Sequence, residues 1–472
     1  MGRGRSIRIL LLALCVVAGA TAAFPLVSSA APASSKAPAQ PTRAQAKVRP
    51  SEVTLPSGVG GGVPVTMPPV GLSVEYPTMA QALAGGSCPP PALAAELLRL
   101  GSPPLELAGL SQDLTAPDGA ISGLPTSWET ATLYSLPANF WSQLQCLLGT
   151  ARDPLTVGLN MRTGNLAWAT QMAAKAQSAA GTGLGFSLGN EPDLFDLPNL
   201  SSLAKPQVGE EAVAANLYLR LAAYLRPAIG NAPLVAPELS QPARWHSVLP
   251  GVLEQLHAQT VAVHLYPLTA CRSLREVTIG GLLSSRAADS PARLSWVVAD
   301  AQAAGLPAII SEANSASCGG RSGVSDAPAA AIWAVRFVLS ALKTGFREVR
   351  FHFAGDPYDA FLVRGAGVYP RPLESALVAL NQWLPVGSSL RTVPGVRELA
   401  ATAFTRPAGT TTLLLDNAGS KARPVVVRNA RRVQLAILSP LRGGLVTQTR
   451  RAAGRLKFLI APNTLVAISA AP

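Results

Sequence analysis

The chain has 472 residues, 48% hydrophobic and 14% charged, which suggests two domains and excludes a largely disordered polymer. Its net charge is +13, but the arginines are scattered and accompany no nucleic-acid-binding signature. The charge therefore fits either a solvated basic surface or attraction to acidic polymers such as uronic-acid glycans and anionic wall material.

The start, MGRGRSIRILLLALCVVAGATAA, joins a basic segment (Arg3, Arg5, Arg8) to a short apolar run and the small residues Ala20 and Ala22. This is the grammar of a secretory signal, expected over residues 1–30, with an uncleaved membrane anchor as the competing reading. No later segment offers the roughly 18 unbroken apolar residues a membrane span needs. Residues 31–62 are rich in Pro, Ala, Ser and Gly and read as a flexible tether.

Eight short apolar runs follow: GLSVEY (71–76), LLRLG (97–101), LTVGLN (155–160), LGFSLG (184–189), PLVAPE (233–238), TVAVHLY (260–266), PAIISE (307–312) and EVRFHF (348–353). Segments with helical spacing separate most of them, and several close with Gly. Strands apolar on both faces and alternating with helices predict a parallel α/β protein, and the count of eight favours a closed (β/α)8 (TIM) barrel over 63–385. An open doubly wound sheet competes, but no GxGxxG turn follows the first strand. From 386 to 472 strands joined by short turns predict a C-terminal all-β sandwich, with residues 63–69, containing VPVTM, as a candidate edge strand of it. Past the signal the cysteines are Cys88, Cys146, Cys271 and Cys318; an even count in an exported chain favours disulfides, and three pairings are open. No CxxC or Cys/His cluster points to zinc.

In such a barrel, functional side chains gather where strands end. Glu191 ends the fourth run and Glu312 the seventh. Facing each other about 5 Å apart, two carboxyl groups can cleave a glycosidic bond with retention of configuration. One attacks the anomeric carbon, so it must stay ionised; the other protonates the leaving oxygen, so it needs a proton near working pH. Arg99 and Tyr266, ending the second and sixth runs, are candidate supports for Glu312, and Asn190 for a sugar hydroxyl beside the reacting carbon. His264 reads either as a packed group behind the site or as a substrate contact. Asp193 reads as a loop or helix-start residue, and Trp333 as core.

Asn-Glu-Pro after strand four, His-x-Tyr after strand six and a second Glu after strand seven together resemble glycoside hydrolase family 79, the family of heparanase and microbial β-glucuronidases, over about residues 70–385. The resemblance implies Glu191 in LGNEP as proton donor, with Asn190 beside it, and Glu312 in SEANSASCGGRSGVSD as nucleophile. It implies sugar contacts from Asn160 in VGLNMRTGN, Gln241 in APELSQPARW and Tyr266 in VHLYPL. It also implies that backbone N–H groups of Cys318, Gly319 and Gly320 hold a uronic-acid carboxylate. Departures are RLGSPPLE, with Ser102 for Gly and Glu106 at the acidic position, Arg336 where an acid is usual, and Tyr358 and Tyr369 standing in near strand eight. Pairing Cys271 with Cys318 would tie the strand-six loop to this glycine segment and leave Cys88 for Cys146. The expectation is an exported or cell-surface retaining β-glycosidase for uronic-acid glycosides, needing no metal or organic cofactor and binding no nucleic acid. The competing readings are the same machinery on neutral sugars and a glycan-binding protein without turnover.

Overall fold

The structure, a computed structural model, describes residues 50–55, 61–84, 88, 90–117, 134–180, 183–195, 210–394, 396, 398–441 and 444–470. The expected signal and most of the expected tether lie outside these residues.

Eight parallel strands form a closed barrel: β1 (Val70–Glu75), β2 (Leu105–Ala108), β3 (Leu155–Leu159), β4 (Leu184–Leu188), β5 (Leu234–Leu239), β6 (Thr260–Leu265), β7 (Ala308–Ala313) and β8 (Val349–Phe353). β8 pairs back onto β1 and completes the ring. Seven strands fall where the apolar runs predict them. The second does not: LLRLG belongs to the end of a helix, Pro91–Arg99, and the strand begins at Leu105. Leu93, Leu97 and Leu100 are buried at helical spacing, and a five-residue apolar run cannot by itself separate helix from strand. Helices cover the barrel. The one at Pro328–Thr344 starts with proline in its first turn, where no intrahelical donor is lost, and stops at Gly345 with φ 112°.

The barrel strands are not apolar on both faces. In β8 the alternation sends Val349, Phe351 and Phe353 into the hydrophobic core and Glu348, Arg350 and His352 to the opposite, axial side. Val235, Ala262, Ile309 and the partly buried Met67 make a separate small apolar cluster in the N-terminal halves of the strands.

The C-terminal all-β region comprises β9 (Ser389–Thr392), β10 (Ala400–Thr405), β11 (Thr411–Asn417), β12 (Arg423–Leu438), β13 (Val446–Ile460) and β14 (Thr464–Ala470). Hydrogen bonds join them into one sheet together with Val63–Pro64, which pairs with β9, and Ser51–Thr54, which pairs in parallel with β12. Ser51–Thr54 lies inside the stretch read as tether. Alternation explains the apolar runs here: Leu413, Leu415, Val466 and Ile468 enter a core local to the sheet, while Leu414, Leu465 and Ala467 join the core of the barrel. The guanidinium of Arg336, on the helix Pro328–Thr344, donates to both carboxylate oxygens of Asp416 at 2.9 and 2.6 Å and ties the two regions together. Trp333 is fully buried core.

Candidate active site

The turn after β4 is built around Gly189, whose φ is 68° and where a Cβ would meet Phe195 at 3.0 Å and Met161 at 3.2 Å. Asn190 follows, its N–H donating to Asp113 at 2.9 Å. Glu191 then takes a left-handed conformation, φ 53° and ψ 56°, which a residue with a side chain adopts at a cost and which is frequent at functional sites. Asp113 also accepts the N–H groups of Met161 (3.0 Å) and Arg162 (3.2 Å), so one buried carboxylate fixes the ends of both β3 and β4. Burial pushes its pKa up to about 6 despite these three N–H bonds. Asp193 plays a similar part toward the next loop, accepting from the N–H groups of Ser240 and Gln241 at 3.1 and 2.6 Å.

Between β6 and β7 the register slips after Val263, setting His264 opposite Glu312. Such bulges re-aim side chains beside active sites, and this one brings Glu312 to the mouth. Tyr266 donates its hydroxyl to Glu312 Oε1 at 2.7 Å. His264 Nδ1 lies 3.1 Å from Glu191 Oε1 and 3.8 Å from Glu312 Oε2. His352 Nδ1 lies 3.4 Å from the same Glu312 oxygen, and its Nε2 lies 3.4 Å from Glu75 Oε1. Glu75 is in turn held by the N–H groups of Leu110 (3.1 Å) and Ser111 (2.7 Å). Donor atoms of Glu191, His264 and Glu312 all lie within 4.8 Å of one another. They are close enough to share a cation, yet the histidines already supply positive charge there.

Burial works against a charged His264, but Glu312 and Glu191 outweigh it and carry the pKa up to about 10. His352 behaves alike: burial opposes its charge, and Glu312 and Glu75 raise it to about 9. The effect is reciprocal. Burial alone would raise Glu191, but the hydrogen bond and charge of His264 hold it below its usual value. Deeper in the barrel, burial and the neighbouring Glu106 push Glu238 well above the usual carboxylate range.

The structure therefore gathers Glu191, Glu312, Asn190, His264 and Tyr266 at one end of the barrel. Tyr358 joins them, buried with its ring 6.4 Å from that of Tyr266 and 5.9 Å from that of His352. Cys318 is bonded to Cys271, and Cys88 to Cys146. At Gly320 φ is 72° and a Cβ would strike Ser325 Oγ at 2.5 Å, so the glycine segment runs against its neighbours as only glycine allows. A Cβ at Gly319 would lie 3.1 Å from the Asp356 carboxylate, which sets an acid beside the expected carboxylate cradle.

Other expectations need correction. Arg99 does not support Glu312: at the end of a helix that leads into β2, it pairs with Glu96 at 2.8 Å and Glu374 at 2.7 Å. Glu106 is no sugar contact, being fully buried along the barrel axis and 2.7 Å from Arg350. Asn160 commits its side chain to neighbouring loops, accepting from Thr163 N (3.2 Å) and Oγ1 (2.9 Å) and donating Nδ2 to the Thr115 carbonyl at 3.4 Å. Gln241 keeps its place beside the site: its backbone N–H donates to Asp193 at 2.6 Å and the residue is exposed. Tyr369 is 55% exposed on the hairpin strand Gly367–Pro370 and does not enter the cluster. The sequence reading missed Glu75, Asp113 and His352. For His352 a signal existed: Glu-Val-Arg-Phe-His-Phe alternates polar and apolar, which marks a strand whose inner face is functional.

No protein-family model matches the chain, and no curated protein matches it. Solved structures do share the fold. A 4-O-alpha-L-rhamnosyl-beta-D-glucuronidase from Fusarium oxysporum 12S superposes with a TM-score of 0.70 at 18% identity, over 89% of this chain and 100% of that one. A family 51 alpha-L-arabinofuranosidase from Bifidobacterium longum gives 0.63 at 13% identity, over 90% and 100%. A GH30 endoxylanase from Clostridium papyrosolvens C71 gives 0.54 at 11% identity, again over 90% and 100%. At these identities the likeness establishes the architecture, a (β/α)8 barrel with a C-terminal β region of the kind glycoside hydrolases use.

Proposed function

We propose that the protein is an exported retaining glycoside hydrolase acting on β-linked uronic-acid glycosides, with Glu312 as nucleophile and Glu191 as acid/base. The observation that carries this reading is the convergence of two carboxylates from β4 and β7, separated by 121 residues (312 − 191), to within 4.8 Å at the C-terminal mouth of a barrel. Glu312 attacks the anomeric carbon while the aglycone oxygen takes a proton and departs. The Tyr266 hydroxyl, 2.7 Å from Oε1, orients the nucleophile, and His264 and His352 lie 3.8 and 3.4 Å from its other oxygen. The proton comes from the His264–Glu191 pair, which holds one between them: it moves from His264 Nδ1 to Glu191 and on to the leaving oxygen. Water then attacks the glycosyl–enzyme, its proton returns through Glu191 to His264, and the sugar leaves with its configuration retained.

A second reading, a neutral sugar in the same site, has a specific observation behind it, the Asp356 carboxylate beside Gly319. The likeness to an arabinofuranosidase and a xylanase as well as to a glucuronidase is compatible with either sugar class. The test is a panel of aryl glycosides. Wild type should hydrolyse the β-glucuronide faster than the β-glucoside or β-xyloside. Glu312→Gly should lose at least about a thousandfold in rate and, with azide, release the inverted glycosyl azide. Full activity of the Glu312→Gly protein would end the proposal, and preference for a neutral glycoside would replace the substrate while leaving the mechanism.

A further inference from the structure

From Asn417 to its last residue the chain contains no Asp or Glu, while Lys and Arg recur throughout. The fold gathers several of these cations on one surface. β13 pairs antiparallel with β12, and its alternation turns Leu456 and Phe458 toward the sheet's own core while Arg451, Arg455 and Lys457 are exposed. The register sets Arg428 opposite Arg455, Val426 opposite Lys457 and Arg432 opposite Arg451. Like charges directly opposite in a ladder repel, and they persist where an acid lies between them. One acid does so here: Glu52, from Ser51–Thr54, contacts Arg428 and lies 3.0 Å from Arg455. A single carboxylate thus serves two guanidinium groups, and no carboxylate pairs with Arg451 or Lys457 among the described residues.

We propose that this outward face of the β12–β13 ribbon anchors a linear polyanionic polysaccharide, separately from the barrel mouth. The cations form a ladder rather than a pocket. Partners across the ribbon stand about 5 Å apart and Arg455 and Lys457 about 7 Å apart along it, while register shifts on either side of Ala430 set the Arg432–Arg451 pair off from them as a second cluster on the same ribbon. That spacing suits repeated carboxylate or sulfate groups on an extended chain and gives a single small anion nothing to enclose. Among the described residues of the ribbon the one aromatic side chain, Phe458, turns inward and offers no platform for stacking bases. Leu459 is the one large apolar side chain strongly exposed on this strand, too little for insertion into a bilayer. Preference for polysaccharide over nucleic acid also rests on the glycosidase reading; the cationic face itself does not.

The experiment uses the full chain on immobilised heparin and polygalacturonate, eluted with salt, beside DNA and phosphatidylserine vesicles. Wild type should elute later from the polysaccharides than from DNA or vesicles. The triple variant R451Q/R455Q/K457Q should bind polysaccharide at least about tenfold more weakly, because exposed charges act additively at low salt. Its hydrolysis of an aryl glycoside should stay within twofold of wild type, so loss of anchoring and loss of catalysis are separable. Glu52→Gln should tighten binding, a sign that misfolding does not produce. Removing the same charge elsewhere, in R220Q/R286Q/R293Q, should leave more of the binding intact than the ribbon variant does. Equal binding by the two triple variants, or tighter binding to DNA or vesicles than to either polysaccharide, would overturn the proposal.

Discussion

Two layers of the barrel interior use the same acidic residue with different partners. In the deeper layer Arg350 lies 2.7 Å from Glu106 and 2.8 Å from Glu348 and bonds Thr156 at 3.2 Å. At the mouth, Glu191, Glu312 and Glu75 surround His264 and His352. Burial opposes the charge of Arg350, yet its two carboxylates raise its pKa further above an already high value, so its proton never moves at working pH. The histidine protons are held tightly but remain within reach of mild alkali, at about 10 and about 9. The difference teaches that a buried carboxylate becomes scaffold or machinery according to whether its counter-cation can give up a proton.

The largest expected effect breaks the scaffold layer. Arg350→Met leaves Glu106 and Glu348 buried without their cation and should cost about 3–5 kcal/mol in urea unfolding. Neutralising both acids in the same protein should recover most of that, and the folded fraction should keep its turnover. A turnover loss with unchanged stability would erase the distinction between the layers. The next effect sharpens it. The pKa of His352 rises from 6.5 to about 9 on folding, so its contribution is fully present below pH 6.5 and is lost as pH climbs through about 9. Glu312, Glu75 and His264 act on it most strongly, the Tyr358 ring lies 5.9 Å from its own, and Asp356, Asp359 and Glu191 also feel its charge. At 1.36 kcal/mol per pH unit that contribution is about 3 kcal/mol at most. The stability difference between wild type and His352→Asn should therefore shrink between pH 6 and pH 10, and a constant gap would place the imidazolium elsewhere.

The mouth layer was partly legible in the sequence. Glu191 and Glu312 terminate apolar runs, and Tyr266 sits two residues past His264; strand ends are where chain order alone gives position. Glu75 also ends a strand, but Glu-Tyr-Pro reads equally well as a helix start, and its partner His352 lies 277 residues away (352 − 75). The scaffold layer was hidden for another reason. Reading β8 as apolar on both faces discards the alternation that aims Glu348, Arg350 and His352 along one line. Arg99 shows the opposite error, since a short Leu-rich run is helical or extended according to neighbours that only the fold supplies. Asp113 has no sequence signal at all: it closes a single 3-10 turn, Leu110–Asp113, and its importance comes from the backbone N–H groups of Met161, Arg162 and Asn190 just past β3 and β4.

The smallest effect bears most directly on chemistry. His264 lowers the pKa of Glu191 by its hydrogen bond and charge, and Glu191 in return helps raise that of His264 to about 10. The acid function of the pair should therefore persist in wild type until pH approaches 10, set by the imidazolium rather than by the carboxyl. His264→Asn removes both the stored proton and the strongest of the influences that hold Glu191 down, so the pKa of Glu191 must rise, burial now being opposed only by Ser240 and the more distant charge of His352. With the imidazole gone, the group whose pKa stood at about 10 no longer supplies the proton. The alkaline limb of the rate profile should accordingly move down by several pH units. Near neutral pH, turnover of a glycoside with a poor leaving group should fall about a hundredfold, equivalent to about 2.7 kcal/mol. An activated aryl glycoside, whose leaving group needs no proton, should lose far less. Equal losses on both substrates with an unmoved alkaline limb would make His264 a packing residue and leave Glu191 to hold its proton alone.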